Sequence, residues 1–126
     1  MTNLELFCTE EATKVLVELG IPANLQGFRC LQSAIVKVVL NPDLIKKITK
    51  FLYPQVGVEQ GVSGPIAERS IRHSTDIGYS KTGFKSLNKI FGLDCKPLVS
   101  KPTNCELIAI ISEAIRFKAR RQNLID

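Results

Sequence analysis

The sequence predicts an all-α fold, a compact domain of six or seven helices that contains a helix-turn-helix. Apolar residues recur at three- and four-residue spacing along most of the 126 residues, which is the pattern of helices with one buried face. Alternating apolar and polar residues, the pattern of half-buried strands, are not seen in the sequence. This length favours one domain, residues 1–126, with a core large enough to be stable without disulfides or metals.

The composition excludes several classes of protein. The chain has 17 Lys and Arg against 12 Asp and Glu, a formal charge of +5, and 44% hydrophobic residues, as is ordinary for a soluble globular domain. No apolar run is long enough to cross a membrane. The first residues are acidic and carry no basic stretch, so we expect no signal peptide, a cytoplasmic location and no membrane partner. The basic charge permits binding to a polyanion but does not require it.

The four cysteines, Cys8, Cys30, Cys95 and Cys105, are far apart in the sequence, and so is His73, the only histidine. Zinc sites use closely spaced pairs of ligands, and the sequence offers none. Without a signal peptide, a disulfide framework is not expected either. We therefore predict reduced thiols that pack as small apolar side chains, and we expect neither a metal nor another cofactor.

Glycine and proline set the predicted boundaries of the first two helices. The first apolar stripe predicts a helix over residues 3–19, which Gly20 ends in a Schellman turn. A second helix is predicted to begin near Gly27 and to be closed by Asn41 and Pro42.

A third helix is predicted directly after the second. Asn41 is placed to cap it, because asparagine is favoured at helix N-caps, and Pro42 follows at the first helical position. The next proline, Pro54, is predicted to mark the end of this helix, since proline interrupts a helix interior.

Residues 54–79 have the outline of a helix-turn-helix. A short segment, 54–60, precedes a turn at Gly61, and a longer amphipathic stretch, 63–79, begins at Ser63, a residue typical of helix N-caps. A short helix, a glycine-bearing turn and a longer helix form this motif in many DNA-binding proteins. Other helical hairpins share the outline, so it is not specific by itself.

The C-terminal part predicts two more helices. Residues 85–91 form a short one that Gly92 stops, and residues 93–102 read as a loop because they hold two prolines and no periodicity. Thr103 and Glu106 have the spacing of a capping box, which predicts a last helix over residues 104–120.

The charged residues of helix 63–79 are the most informative for function. On a helix, Arg69, Arg72 and His73 share one face. Arginine can form two hydrogen bonds to guanine and a carboxylate such as Glu68 can accept from cytosine, so these residues would read base edges in a major groove. The alternative is a solvated charged face on which Glu68 and Arg72 form an i,i+4 ion pair.

Further basic residues flank this helix in the sequence: Lys81, Lys85, Lys89, Lys96, Lys101, Arg116, Lys118, Arg120 and Arg121. Such charges either solubilise a surface or neutralise phosphates of a nucleic acid. An enzyme is not expected, because the sequence has no phosphate-binding loop, no paired metal ligands and no nucleophile motif.

Five short motifs occur together in one order and spacing. They are the segments that start at Gly20 (GIPA), Ile48 (ITKFLYP), Glu68 (ERSIRH), Phe91 (FG) and Lys101 (KPTN). With them the sequence resembles the C-terminal DNA-binding effector domain of the sporulation-initiation response regulator, stage zero sporulation protein A, over residues 11–118. The resemblance implies a six-helix domain around a helix-turn-helix and sequence-specific control of transcription in endospore-forming Firmicutes.

The resemblance also implies roles for single residues. Those expected to contact double-stranded DNA are Ser63, Ile66, Glu68, Arg69, Arg72, His73 and Lys101. Members of the family pair head to tail on tandem DNA boxes through the last helix. The residues expected in that self-association are Thr103, Glu106, Ile110 and Lys118.

The sequence departs from the family pattern at several positions. Ile66 stands where an arginine approaches bases in the family, so we expect either a shift of the preferred DNA sequence, for example toward a thymine methyl, or a loss of base specificity. Gly57 and Gly61 replace better helix formers in the first helix of the motif, and each glycine in a helix interior costs about 0.5–1 kcal/mol relative to alanine.

A receiver domain precedes the effector domain in the family, and its phosphorylated aspartate relieves inhibition. The sequence before the resembling segment is too short for one. We therefore expect either an excised domain or a free-standing paralogue that phosphorylation in cis does not switch. A paralogue with weakened base readout would act instead as a partner or antagonist of a full-length sporulation regulator.

Overall fold

The computed structural model describes residues 1–87 and 100–126. In chain order the elements are α1 (Asn3–Glu18), α2 (Gln26–Leu40), a 3-10 helix (Pro42–Lys47), a π-helix (Ile48–Leu52), α3 (Tyr53–Gln60), α4 (Gly64–Thr82) and α5 (Asn104–Arg121). The described residues contain no strand, which confirms the all-α prediction. They hold five α-helices rather than the predicted six or seven: the chain between α2 and α3 forms 3-10 and π turns instead of an α-helix, and the helix predicted at 85–91 falls mostly outside the described residues.

Part of the prediction lies outside the described residues. The short helix predicted at 85–91 and the loop predicted at 93–102 fall mostly on residues 88–99. Cys95 and two of the basic residues noted above, Lys89 and Lys96, lie in the same stretch.

The boundaries predicted for the first two helices are confirmed to within a residue. α1 ends at Glu18, and Gly20 follows in the left-handed conformation with φ +80°. The amide of Ile21 then donates to the carbonyl of Leu16, five residues earlier, at 3.1 Å, which is the wider of the two hydrogen bonds that define a Schellman turn. α2 begins at Gln26, next to the predicted Gly27.

The third predicted helix begins at Pro42 as predicted, but its type and its end are wrong. Asn41 makes no side-chain cap, and residues 42–47 form a 3-10 helix with Pro42 in its first turn. Residues 48–52 then widen into a π-helix that continues into α3. Pro54 does not stop the chain: it lies in the first turn of α3, directly after the π-helix.

The two glycines of α3 and its turn have a different role from the predicted one. Gly61 lies just outside the helix at φ +74°, a left-handed conformation that glycine adopts without strain. The predicted cost of a glycine in a helix interior therefore does not apply to it. The amide of Val62 donates back to the carbonyl of Gly57 at 2.9 Å. A Cβ on Gly57 would overlap the carbonyl oxygen of Val62, so the return of the chain toward α4 requires glycine there.

A single cluster of buried side chains draws on all five α-helices. α2 is central to it, since it packs against α1, α3, α4 and α5. α2 and α4 approach closely at Gly27, where a Cβ would overlap the carbonyl oxygen of Ser70 and the hydroxyl of Ser74. The absent side chain at Gly27 therefore fixes how near α4 lies to the core.

Candidate nucleic-acid interface

The start of α4 is built as the sequence predicts. Ser63 is extended, and its hydroxyl oxygen accepts a hydrogen bond from the amide of Ile66 at 3.3 Å, which confirms it as the N-cap. Pro65 lies in the first turn, where proline is tolerated. The helix continues to Thr82, three residues beyond the predicted end, and Gly83 closes it at φ +61°.

One side of α4 is buried and the opposite side is exposed. Ala67 and Ile71 are fully buried in the core. Exposed residues on this side include Ile66, Arg69, Arg72, His73 and Asp76, which we call the outer face of α4. Their spacing of three and four residues places them along one side of a helix. The prediction that both arginines project outward from a helix is therefore confirmed.

Arg72 is not a free cation on this surface. Its Nη1 lies 3.1 Å from Oε1 of Glu68, one turn earlier, so the i,i+4 pair predicted as the alternative is present. The Arg72 side chain is 54% exposed. Ion pairs with this exposure contribute about 0–1 kcal/mol, so the pair presents only a small barrier to a competing partner.

Lys101 lies beside α4 although 25 residues separate it from Asp76 along the chain. Its ammonium group forms an ion pair with the Asp76 carboxylate, on the outer face of α4. The structure therefore places Lys101 next to the predicted recognition residues. Asp76 was missed by the sequence analysis, although its position four residues after Arg72 was a signal that it shares that face.

The start of α5 is held against α3 and α4. Thr103 and Glu106 form the predicted capping box: the Glu106 amide donates to Thr103 Oγ1 at 3.1 Å, and the Thr103 amide donates to Glu106 Oε1 at 3.0 Å. These bonds lower the pKa of the Glu106 carboxyl, because they favour its charged form. The amide group of Asn104 donates to the hydroxyl of Tyr53 at 3.3 Å and to the carbonyl of Glu68 at 3.2 Å.

These contacts of Asn104 fix the relative positions of three elements. Burial raises the pKa of the Tyr53 hydroxyl, and the bond from Asn104 partly opposes that shift. Tyr53 and Asn104 lie in two of the motifs that carry the resemblance, but the sequence did not predict their contact, because it joins residues 51 positions apart. Lys101 precedes the same helix start by only a few residues, so the anchored N-terminus of α5 also positions Lys101 near α4.

A model of the family described as "Sporulation initiation factor Spo0A C terminal" matches residues 12–115. The chain belongs to this family. The match covers most of the 126 residues and includes every residue that was predicted to contact DNA. Membership identifies the chain as a DNA-binding effector domain that acts in the regulation of transcription during sporulation, which confirms the resemblance stated from the motifs.

For this Spo0A C-terminal domain, the residues predicted for self-association stay a prediction. Thr103 and Glu106 bond to each other, and Ile110 packs partly against the core. Lys118 lies beyond the matched range, and its Nζ lies 3.0 Å from Oε2 of Glu11 on α1. The exposed apolar residue of the same helix is Phe117, which the sequence analysis missed.

The cysteines that the structure describes are free thiols. Cys8 and Cys30 are fully buried, and burial raises the pKa of Cys8 to about 11 and raises that of Cys30 as well. Thiols with raised pKa values stay protonated and unreactive at neutral pH, in agreement with the predicted packing role.

Within residues 1–87 and 100–126 no three His, Cys, Asp or Glu side chains gather as a metal site. None of the described helices is both long enough and apolar enough to span a bilayer.

Proposed function

We propose that the chain is a sequence-specific regulator that binds double-stranded DNA with α3, the turn at residues 61–63 and α4 acting as a helix-turn-helix. In this proposal α4 enters the major groove as the recognition helix. The observation that carries it is the outer face of α4, where Arg69, Arg72 and His73 are exposed together on one side of a helix whose other side is buried. In this proposal the protein binds DNA without catalysing a reaction, and it acts in the cytoplasm.

The rigidity of α4 supports a role in reading bases. A helix of 19 residues is about 28 Å long, enough to lie across a groove with its first turns against base edges. Its C-terminal end is fixed, because the hydroxyl of Thr82 donates to the carbonyl of Leu19 at 2.9 Å. Its N-terminal part is fixed by the bond from Asn104 to the carbonyl of Glu68. Side chains on such a support reach a base with little loss of conformational freedom.

The chemistry of the outer face supports distinct contacts. Arg69 and Arg72 can each form two hydrogen bonds to a guanine, and Ile66, which is 41% exposed, offers an apolar contact for a thymine methyl. Glu68 holds Arg72 in the free chain and can accept from cytosine when the arginine turns to a base. Ser63 and His73 would contribute further polar contacts. Lys101, beside Asp76, would bind the phosphate backbone.

Selection from random duplexes followed by binding measurements tests this proposal. Arg72→Ala should weaken binding to the selected site by about 1–3 kcal/mol and relax the preference at one base pair. The matched control is Arg29→Ala, which removes the same charge from an exposed position of α2. It should change only the general electrostatic attraction. An unchanged isotherm for Arg72→Ala on the selected site would refute the assignment of α4.

We also propose that α5 mediates contact between copies on tandem DNA sites, or with a full-length sporulation regulator. Phe117 supports a protein contact, because this large apolar side chain is 54% exposed on the helix, with the guanidinium carbon of Arg120 5.6 Å from the centre of its ring. Sedimentation on duplexes with one and with two sites measures this association. Phe117→Ser should reduce the cooperative occupation of two sites and leave single-site binding unchanged.

A protein that acts only through such pairing would differ in its DNA binding. It would bind every duplex weakly at physiological salt, and it would still associate with a full-length regulator through α5. Titration of duplex DNA at two salt concentrations separates this alternative from the leading proposal. Tight, sequence-dependent binding at the higher salt concentration would exclude it.

A further inference from the structure

A cleft of about 730 Å³ opens beside the outer face of α4. It lies where the π-helix and the start of α3 meet the N-termini of α4 and α5, and its apolar lining includes Ile48, Tyr53, Pro54, Pro65 and Pro102. Pockets that bind small molecules have volumes of about 300–1,000 Å³ and mostly apolar walls with a few polar groups. The cleft fits this description.

Two cations line the cleft, and each is held by one exposed ion pair. Arg72 pairs with Glu68, which also lines the cleft, and Lys101 pairs with Asp76, so the two carboxylates balance the two cations in the free chain. Because such pairs contribute only about 0–1 kcal/mol, an anionic group that enters the cleft can replace a carboxylate as the partner of either cation.

Two helix N-termini also face the cleft. Gly64 and Pro65 of α4 and Asn104 and Cys105 of α5 line it, and they are the first two residues of their helices. The N-terminus of a helix carries about half a positive charge. Ser63 and Thr103 already accept one amide of each helix, and Pro65 has no N–H, so the first-turn amides that line the cleft are those of Gly64, Asn104 and Cys105.

We propose that the cleft binds a small anionic amphiphile, an organic molecule with a flat apolar body and one carboxylate, sulfonate or phosphate group. The apolar body lies against Tyr53 and the prolines, and the anion replaces Glu68 and Asp76 as partner of Arg72 and Lys101. Because those cations belong to the predicted DNA contacts, an occupied cleft competes with duplex DNA. The competition rests on the proposed function of α4, whereas the binding site itself does not.

Fluorescence titration of the whole chain with anilinonaphthalene sulfonate tests the site. The neutral ring analogue, phenylnaphthylamine, is the matched probe without an anion. The sulfonate should bind about tenfold more tightly than the neutral probe, as one charge-assisted hydrogen bond provides. Equal affinity of the two probes would overturn the assignment of an anion site.

Two substitutions to tryptophan locate the bound probe. Thr49 lies on the cleft wall and is exposed, so Thr49→Trp fills the cavity without disturbing the core. Val58 on α3 is 85% exposed and lies outside the cleft, so Val58→Trp is the control for added aromatic surface. Thr49→Trp should abolish binding of both probes, and Val58→Trp should leave it unchanged. Full binding by Thr49→Trp would place the probe elsewhere and overturn the site.

Removal of one cation tests the charge argument, and DNA tests the competition. Lys101→Ala should weaken the sulfonate about tenfold and leave the neutral probe unaffected. An equal change for both probes would overturn the role of Lys101. Duplex DNA should displace the sulfonate from the unaltered chain, and simultaneous binding of both would overturn the competition. Failure to bind any DNA would overturn the proposed function and the competition, while the probe titrations would still decide whether the cleft binds an anion.

Discussion

The two sides of α4 have opposite requirements. The buried side packs against α2 at Ser74, where the backbones approach closely at Gly27, and Gly78 lies against Leu19 and Ile21, just after α1. The outer face carries long charged side chains held only by exposed ion pairs. The size of each side chain is restricted on the buried side, because a single added carbon would overlap a neighbour. On the outer face the charge and length of a side chain decide what the helix can bind, so a substitution there changes binding and leaves the fold intact.

Two isoleucines of α4 provide the sharpest test of this contrast. Ile71 is fully buried, so Ile71→Ala should lower the free energy of unfolding by about 3–4 kcal/mol through lost burial and a cavity. Ile66→Ala, on the outer face, should lower it by less than about 0.5 kcal/mol and change the DNA preference instead. Urea unfolding of both variants measures the first effect. Equal destabilisation by the two substitutions would contradict the division of α4 into two sides.

The close approach at Gly27 predicts the next largest effect. Gly27→Ala should lower the free energy of unfolding by about 2 kcal/mol, because the new Cβ would force the Ser70 carbonyl, and with it α4, away from α2. The control is Gly61→Ala, where no atom lies within 4 Å of a built Cβ and only the left-handed backbone opposes alanine, at about 1 kcal/mol. Chemical denaturation measures the free energy of unfolding of both variants. A smaller decrease for Gly27→Ala than for Gly61→Ala would show that α2 and α4 can separate freely.

The smallest effect concerns an ion pair away from α4. The hydrogen bond from Lys37 on α2 lowers the pKa of the Glu59 carboxyl on α3 below its ordinary value of 4.5. The stabilisation is therefore present above pH 4.5 and is lost as the pH falls through the lowered pKa. Because the Glu59 side chain is 50% exposed, its size should be only a few tenths of a kcal/mol.

Unfolding free energies measured between neutral and acidic pH check this prediction. Glu59→Gln should remove part of the loss of stability in acid. Asp43→Asn, which changes a carboxylate that is 85% exposed, is the control. If the free energy of unfolding depends on pH in the same way for Glu59→Gln and for the unaltered chain, the ion pair of Lys37 and Glu59 does not stabilise the fold.

Local signals in the sequence predicted much of this fold. The Ser63 N-cap, the Thr103–Glu106 capping box and the Gly20 turn depend on residues within a few positions of each other, so the sequence displays them directly. The resemblance assigned the family, and helical spacing placed the arginines on one face. These features needed no knowledge of tertiary contacts.

The features that were missed depend on distant contacts. Asp76 holds Lys101 across 25 positions, and Asn104 reaches Tyr53 across 51. Gly57 is required by the carbonyl of Val62, which returns over the helix only in the folded turn. A helical propensity argument assigned this glycine a cost, because propensity describes a residue within its own helix and not the chain that packs on it.

The π-helix at residues 48–52 has a consequence for the length of this segment. A π turn holds one residue more than an α turn, because each amide bonds to the carbonyl five residues back, as the Tyr53 amide does to the carbonyl of Ile48. Deletion of one residue between Ile48 and Leu52 would therefore convert this turn into an α turn and leave Ile48 and Thr49 on the cleft wall. The segment should tolerate the loss of one residue better than α3 does.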